Sequence, residues 1–164
     1  MAVLFVVCLF AVAMLVLWPR TSAPLAEAPT VEFPSAVSRE EKLQLLKDDF
    51  RIITDVNALP TPVLRTFKEK GGARLVLANP GAKFNPSDFI SDASVPRRRL
   101  IFAGASTDKC FVHYEPGGRG VSYVVEVFGL HSGETVEPLW LGYCAHPVSN
   151  LEDLRSQIMG GACR

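Results

Sequence analysis

The feature that most constrains this chain is an uninterrupted apolar segment near its N-terminus. Residues 2–18 are 17 apolar residues without a charge, and Pro19 and Arg20 follow them. A membrane-spanning helix needs about 20 residues, with about 17 as the lower limit. The apolar part of a secretory signal has about 7–15 residues and usually follows a basic residue. The segment is therefore predicted to be an N-terminal hydrophobic helix that anchors the chain in a lipid bilayer, with a cleaved signal as the alternative.

Separating this segment from the rest changes what the composition implies. The 164-residue chain is 48% apolar, but 21 of its first 26 residues are apolar, so the remainder has an ordinary globular composition. The chain carries 17 Lys and Arg against 17 Asp and Glu. That balance gives no electrostatic reason to bind nucleic acid. The predicted partners are the lipid bilayer, through residues 2–18, and an unknown protein or small ligand.

The chain divides into three predicted parts. Residues 1–18 form the membrane anchor or signal segment, and residues 38–164 form a small α+β domain. Between them, residues 19–37 contain four prolines and several alanines, a composition typical of an extended tether. Because export is the commoner fate of such an N-terminus, the domain is predicted to be extracytoplasmic and membrane-anchored. Secretion after cleavage is the alternative.

Three helices are predicted in the domain. Ser38 and Glu41 form a capping box, and apolar residues follow at helical spacing as far as Ile53. A second helix begins at Thr61, with proline in its first turn, and stops at two glycines after residue 70. The third is predicted over residues 149–159, again opened by a capping box.

Strand patterns dominate the rest of the domain. A long loop is expected at residues 83–96, and the other connections are short and rich in turn-forming residues, which is typical of an antiparallel meander. The predicted fold class is therefore α+β, an antiparallel 4–5-stranded meander sheet with helices packed on one face. The predicted strands are residues 74–78, 100–105, 110–115, 121–130 and 135–145.

One face of this sheet carries a mixed aromatic and polar strip. If Glu115 pairs with Val121 across the glycine-rich turn, His113 lies opposite Tyr123, and side chains two residues apart share a face. Pairing of Leu130 with Glu134 across the next turn would place Leu141 on that face as well. On a curved sheet such a strip can line a ligand pocket. A half-exposed outer face stabilised by cross-strand pairs is the alternative. The predicted ligand-binding residues are Phe111, His113, Glu115 and Tyr123.

Three consecutive arginines precede the second predicted strand of the meander. Arg97, Arg98 and Arg99 are interpreted as a docking patch for an acidic partner or for lipid headgroups. The alternative is a solvated loop whose charges protect the following apolar strand from aggregation.

Cys110, His113, Cys144 and His146 suggest a zinc site, but the strand geometry argues against it. Cys110 and His113 are three residues apart and so point to opposite faces of a strand, and the expected register places Cys144 about 20 Å from Cys110. No metal site and no Cys110–Cys144 disulfide are therefore predicted. Cys110 and Cys144 are either small buried hydrophobes or partners of Cys163. A catalytic Cys144–His146 pair is the remaining possibility.

Catalytic motifs give no lead to an activity. The sequence contains no nucleophile elbow, HExxH motif or Walker loop, and no cofactor is predicted. The predicted function is a non-enzymatic, membrane-anchored or secreted binding or accessory domain. The alternative is a small enzyme or ligand-processing domain with a pocket around His113, Glu115 and Tyr123.

Overall fold

A computed structural model describes residues 32–34, 36–71, 77–90, 92–131 and 135–164. The predicted anchor at residues 2–18 and most of the tether lie outside these ranges. Within them, no helix combines the length and the apolar content needed to cross a membrane.

Five strands form a single antiparallel sheet whose spatial order follows the chain. This arrangement confirms the predicted meander, because each strand pairs only with its sequence neighbours. We call the end of the sheet at which β3 ends and β4 begins the hairpin end. The strands are β1 (Arg51–Ile53), β2 (Arg98–Ala105), β3 (Lys109–Pro116), β4 (Tyr123–Leu130) and β5 (Val136–Cys144).

The three predicted helices are present: α1 (Arg39–Leu45), α2 (Thr61–Gly71) and α3 (Leu151–Met159). The capping box of α1 is confirmed, since Ser38 Oγ accepts from the Glu41 amide and the Glu41 carboxylate accepts from the Ser38 amide. A short 3₁₀ helix (Val56–Ala58) precedes α2.

The prediction that the first helix continues to residue 53 was wrong. The helix ends at Leu45, and Arg51–Ile53 is strand β1, which pairs with residues 103–105. Three residues after the helix, the Asp48 carboxylate accepts from Lys109 Nζ at 2.8 Å. Two consecutive isoleucines suit a strand at the edge of a sheet, since β-branched side chains favour extended backbone.

At the start of α3 the capping arrangement lies one residue later than predicted. Asn150, not Ser149, is the N-cap, and its side-chain oxygen accepts from the Asp153 amide at 2.9 Å. The Asp153 carboxylate in turn accepts from the Ser149 amide at 3.1 Å. The helix is therefore capped by Asn150, and the second bond of a capping box goes to the residue before the N-cap instead of to the N-cap itself.

The prediction of helices on one face was also wrong, because helices cover both faces. The α1/α3 face carries a core that includes Leu46 and Leu154, whereas the α2 face carries a separate core that includes Val63 and Phe67. Most residues of β3 and β4 are buried at consecutive positions. A strand that is apolar on both sides needs cover on both sides.

The register of the central strands differs from the expected one by a small shift. Cys110 pairs with Phe128 and His113 pairs with Val125, two residues from the predicted partners, which keeps every β3 and β4 side chain on its predicted face. Between β4 and β5 a bulge follows Val127, so Leu141 pairs with Glu126 and lies on the α2 face, not beside His113.

The predicted strand at residues 74–78 is only partly described. Ala78 makes a single parallel bridge with Arg99, and residues 72–76 lie outside the described part of the chain. The described residues of the predicted loop at 83–96 contain neither helix nor strand, as expected.

Candidate functional site

Two of the four predicted ligand-binding residues, Phe111 and His113, lie in the core. Both are 0% exposed. The Phe111 ring packs edge to face against Phe50 and Phe102.

His113 joins three segments of the fold. Its Nε2 accepts from the Val148 amide at 3.2 Å, which requires that Nε2 carry no proton. Its Nδ1 lies 3.0 Å from the Val124 carbonyl oxygen, to which an Nδ1–H donates. Burial lowers the pKa of His113 from 6.5 to about 4, although the Val124 hydrogen bond and Asp153 oppose the shift. The neutral ring therefore links β3 to β4 and to the segment that leads into α3.

The other two strip residues lie around His113 without completing a site. Tyr123 is half-buried, and its ring centroid is 6.4 Å from that of His113. Glu115 forms an ion pair with Arg99 at 2.7 Å, so its carboxylate is already engaged. The strip therefore works as packing and internal pairing, and the outer-face alternative does not describe it either.

The three arginines do not form one continuous surface. Arg98 and Arg99 are successive strand residues and point to opposite faces. The Arg98 guanidinium lies 6.0 Å from the Phe67 ring, whereas Arg99 stacks 4.5 Å above Phe84. Arg97 is exposed.

The cysteines are placed on two different faces. Cys144 forms a disulfide with Cys163, which is one of the two states expected for it. Cys110 is free and buried in the α2-face core, and burial raises the pKa of its thiol to about 12. Cys144 therefore has no thiol with which to act as a nucleophile beside His146, and the pair considered for catalysis is not formed.

The set of residues considered for zinc is likewise dispersed. Cys110 belongs to the α2-face core, whereas His113 contacts Phe102 on the α1/α3 face. In the part of the chain that the structure describes, no three His, Cys, Asp or Glu side chains are grouped as metal ligands.

Sequence reasoning missed a buried polar pair on the α2 face. The Tyr114 hydroxyl donates to Glu126 Oε1 at 2.7 Å, and both residues are buried. Burial and the neighbouring carboxylate raise the pKa of Tyr114, so it stays a hydrogen-bond donor. The available signal was the single glutamate in the otherwise apolar core of β4, where a buried acid requires a partner.

It also missed a basic groove between the two helices of the α1/α3 face. The groove has a volume of about 440 Å³ and opens between the start of α1 and the end of α3. Its cationic side chains are Arg39, Lys42 and Arg164, and its other lining residues are Ile158, Gly160, Gly161 and Cys163.

Local structure explains why these cations meet. Arg39 and Lys42 are three residues apart on α1 and so share one side of the helix. Gly161, with φ of +75°, turns the chain out of α3. The following residues run beside β5, where the Arg164 and Tyr143 backbones exchange hydrogen bonds of 3.0 and 2.8 Å. The disulfide at Cys163 holds this segment at the hairpin end, because Cys144 pairs with Tyr123.

The groove gathers three cationic side chains that form no ion pair with Asp or Glu in the described ranges. Five other Lys and Arg side chains there do form one: Lys83, Arg99, Lys109, Arg119 and Arg155. The Lys42 ammonium lies 5.1 Å from the Trp140 ring centroid, which orients it without neutralising it. Such a site is suited to a carboxylate, phosphate or sulfate group.

Comparison with known proteins adds no relative: no family model, no curated protein and no solved structure matches the chain.

Proposed function

We propose that this chain is a non-enzymatic, extracytoplasmic binding domain, held at a membrane by residues 2–18, which binds an anionic group in its basic groove. The observation that carries the proposal is the set of three cations, Arg39, Lys42 and Arg164, without a carboxylate partner among the described residues. Cationic side chains that line one groove and are not paired with Asp or Glu are the arrangement expected for recognition of an anion.

The disulfide supports the proposed compartment. Cys144–Cys163 closes the C-terminal segment onto β5, and disulfides persist mainly in oxidising compartments outside the cytoplasm. Both an anchored domain and a domain secreted after cleavage fit this observation.

The placement of the reactive side chains supports a binding role over the enzymatic alternative. His113 is neutral and buried with both ring nitrogens hydrogen-bonded, Cys144 is oxidised, and the Cys110 thiol resists ionisation. A general base or nucleophile must be within reach of a substrate. The alternative pocket around His113, Glu115 and Tyr123 therefore loses its main support.

Titration calorimetry of the full chain in detergent, with citrate and inorganic pyrophosphate as probes, tests the groove. We expect saturable binding that weakens with added salt. Removing one charged hydrogen-bond partner costs about tenfold in Kd, so the double variant Arg39→Gln/Arg164→Gln should bind at least about that much more weakly. Lys47→Gln removes an exposed cation just beyond α1 and is the matched control. Equal affinities for all three proteins would overturn the groove as the site.

The compartment is tested separately. A reporter that is active only outside the cytoplasm, fused after residue 164, should be active if the domain is exported. The mass of the purified chain then shows whether residues 2–18 are retained. Activity of a cytoplasmic reporter in the same position would contradict the proposed location.

A further inference from the structure

The hairpin end of the domain exposes three large apolar side chains. Phe89 is 79% exposed, Val121 is 76% exposed and Ile90 is 48% exposed. Phe89 and Ile90 belong to the loop that precedes β2, and Val121 belongs to the β3–β4 connection. We call these three residues the apolar tip.

Backbone hydrogen bonds join the two loops of the apolar tip. The Gly118 amide donates to the Pro86 carbonyl at 3.2 Å, and the Gly117 amide donates to the Arg97 carbonyl at 2.6 Å. The Arg119 and Asp88 side chains form an ion pair at 2.9 Å, next to Phe89 in the sequence. The apolar residues therefore sit on a braced pair of loops.

Asn85 braces the first of these loops from inside. It is 2% exposed, and its side-chain amide donates to the carbonyls of Asp92 at 2.6 Å and Val95 at 3.2 Å. Gly117 lets the second loop approach, since a Cβ there would lie 2.0 Å from the Asn85 carbonyl oxygen. The loop is thus fixed from inside while Phe89 remains in solvent, although burial of that side chain would be favourable by about 1.5–3 kcal/mol.

Part of the basic groove lies at the same end of the sheet. Tyr123, two residues after Val121, pairs with Cys144, whose disulfide partner Cys163 lines the groove. The apolar tip and the part of the groove near Arg164 therefore lie toward one end of the domain. That combination matches the boundary of a bilayer with anionic headgroups, where apolar groups enter the acyl region and cations remain among the phosphates.

The predicted N-terminal segment places such a bilayer within reach. Residues 19–31 are 13 residues, and an extended chain of this length spans about 40 Å at ~3.1 Å per residue. The strands of the sheet have eight or nine residues and span about 26–30 Å at ~3.3 Å per residue. A tether longer than the sheet allows either end of the domain to face the membrane.

We infer that the apolar tip inserts into the interface of a bilayer that carries anionic lipids, with the basic groove directed at the headgroups. This inference rests on the proposed function, because that proposal supplies the membrane in which residues 2–18 are held. Insertion then fixes the orientation of the tethered domain.

Tryptophan fluorescence of the full chain in vesicles tests the insertion. Phe89→Trp places the reporter at the tip, and the wild-type signal from Trp18 and Trp140 is subtracted. In vesicles that contain phosphatidylglycerol we expect a blue shift of the added emission and a loss of intensity when the acyl chains are brominated. Phosphatidylcholine vesicles should give a smaller blue shift and less quenching. Ile52→Trp is the matched control, because Ile52 is 49% exposed on β1 and pairs with Gly104, far from the hairpin end.

Three results are decisive. Equal quenching of the two variants, or none in either, overturns the insertion. A blue shift of Phe89→Trp that depends on protein concentration without vesicles assigns the tip to a second copy of the chain and also overturns it. Gly117→Ala should reduce the quenching of Phe89→Trp while near-ultraviolet circular dichroism of the domain is retained, since it separates the two braced loops.

Flotation of the same vesicles distinguishes this inference from the proposed membrane anchoring. A chain that floats without quenching at residue 89 keeps its anchor and refutes insertion. A chain that floats only with vesicles containing phosphatidylglycerol, and is quenched at residue 89, has lost the anchoring and supports the insertion.

Discussion

At the scale of single residues, His113 behaves as a neutral structural link. It is fully buried, and each ring nitrogen has one partner, the Val124 carbonyl for Nδ1 and the Val148 amide for Nε2. A second proton would turn Nε2 from an acceptor into a donor facing another donor. Because both hydrogen bonds require the neutral ring, the same geometry makes the stability of the fold sensitive to acid.

Acid should destabilise the domain through His113 before the carboxylates titrate. The unfolded chain takes up this proton near pH 6.5, whereas burial keeps the pKa of folded His113 at about 4. The unfolded state therefore binds more protons between these values, so the free energy of unfolding is full above pH 6.5 and falls by about 3 kcal/mol as the pH drops to 4. Urea titrations at several pH values measure the loss.

The matched variant for this prediction is His113→Gln. It should lower stability at pH 7, because one of the two hydrogen bonds is lost, and it should flatten the pH dependence between 6.5 and 4. The exposed-site variant Lys47→Gln is the control and should keep the slope of the wild type, because it leaves both hydrogen bonds of His113 in place. An unchanged slope in His113→Gln would contradict the assignment.

At the scale of elements, the C-terminal segment is the part whose position depends on a covalent bond. Residues 162–164 lie beside the end of β5 through backbone hydrogen bonds to Tyr143 and Ala145. The disulfide from Cys163 to Cys144 secures this pairing and with it one wall of the groove. Strand pairing this short is marginal by itself, since few hydrogen bonds offset the ordering of the chain.

Removal of the disulfide should destabilise the domain. The two cysteines are 19 residues apart, and closing a loop of about that length contributes about 3 kcal/mol. We expect the double variant Cys144→Ser/Cys163→Ser to have a urea midpoint lowered by that amount and to be insensitive to reductant. The control Cys110→Ala leaves the disulfide intact, so its stability should still fall when reductant is added.

Peptide mapping without reductant checks the pairing itself. It should recover a Cys144–Cys163 peptide and a free Cys110, because Cys110 lies on the opposite face of the sheet. A Cys110–Cys144 peptide from a single chain would show that the strand order is wrong.

At the scale of the whole molecule, the sheet is a central layer between two separate cores. Phe67 of α2 is 0% exposed and makes edge contacts with the rings of Tyr114 and Phe128. Leu154 of α3 is 0% exposed in the other core. Each face of the sheet therefore buries its own set of apolar side chains, and both helix layers contribute to the stability of the domain.

Truncation on either face should be costly. We expect Phe67→Ala to lower the free energy of unfolding by about 3–5 kcal/mol and Leu154→Ala by about 2–5 kcal/mol. Because the two sites are on opposite faces, thermal and urea unfolding of the double variant should show nearly additive losses. A loss below about 1 kcal/mol for Phe67→Ala would mean that the α2 face is not a core.

Strands β2 to β5 and the starts of α1 and α2 could be predicted because local chemistry decides them. Ser38 and Glu41 cap α1 as expected, and α2 runs between Thr61 and Gly71 as its terminal residues indicate. The near-continuous burial of β3 and β4 could also have been inferred from their apolar runs, which signal cover on both faces. The prediction that the first helix extends to Ile53 failed because a short stretch of apolar residues fits a strand equally well.

The sequence by itself determined the α+β class, the antiparallel meander and the burial of the apolar runs in β3 and β4. These features depend on periodicity and turn chemistry, which act over a few residues. Only the tertiary structure decided which face each helix covers, that Cys163 bonds to Cys144, and that Arg39 meets Arg164 beside α3. A single bulge after Val127 also moved Leu141 to the other face. The physical reason is that these contacts join residues far apart in the chain, and a shift of one residue in a strand reverses the face of every side chain beyond it.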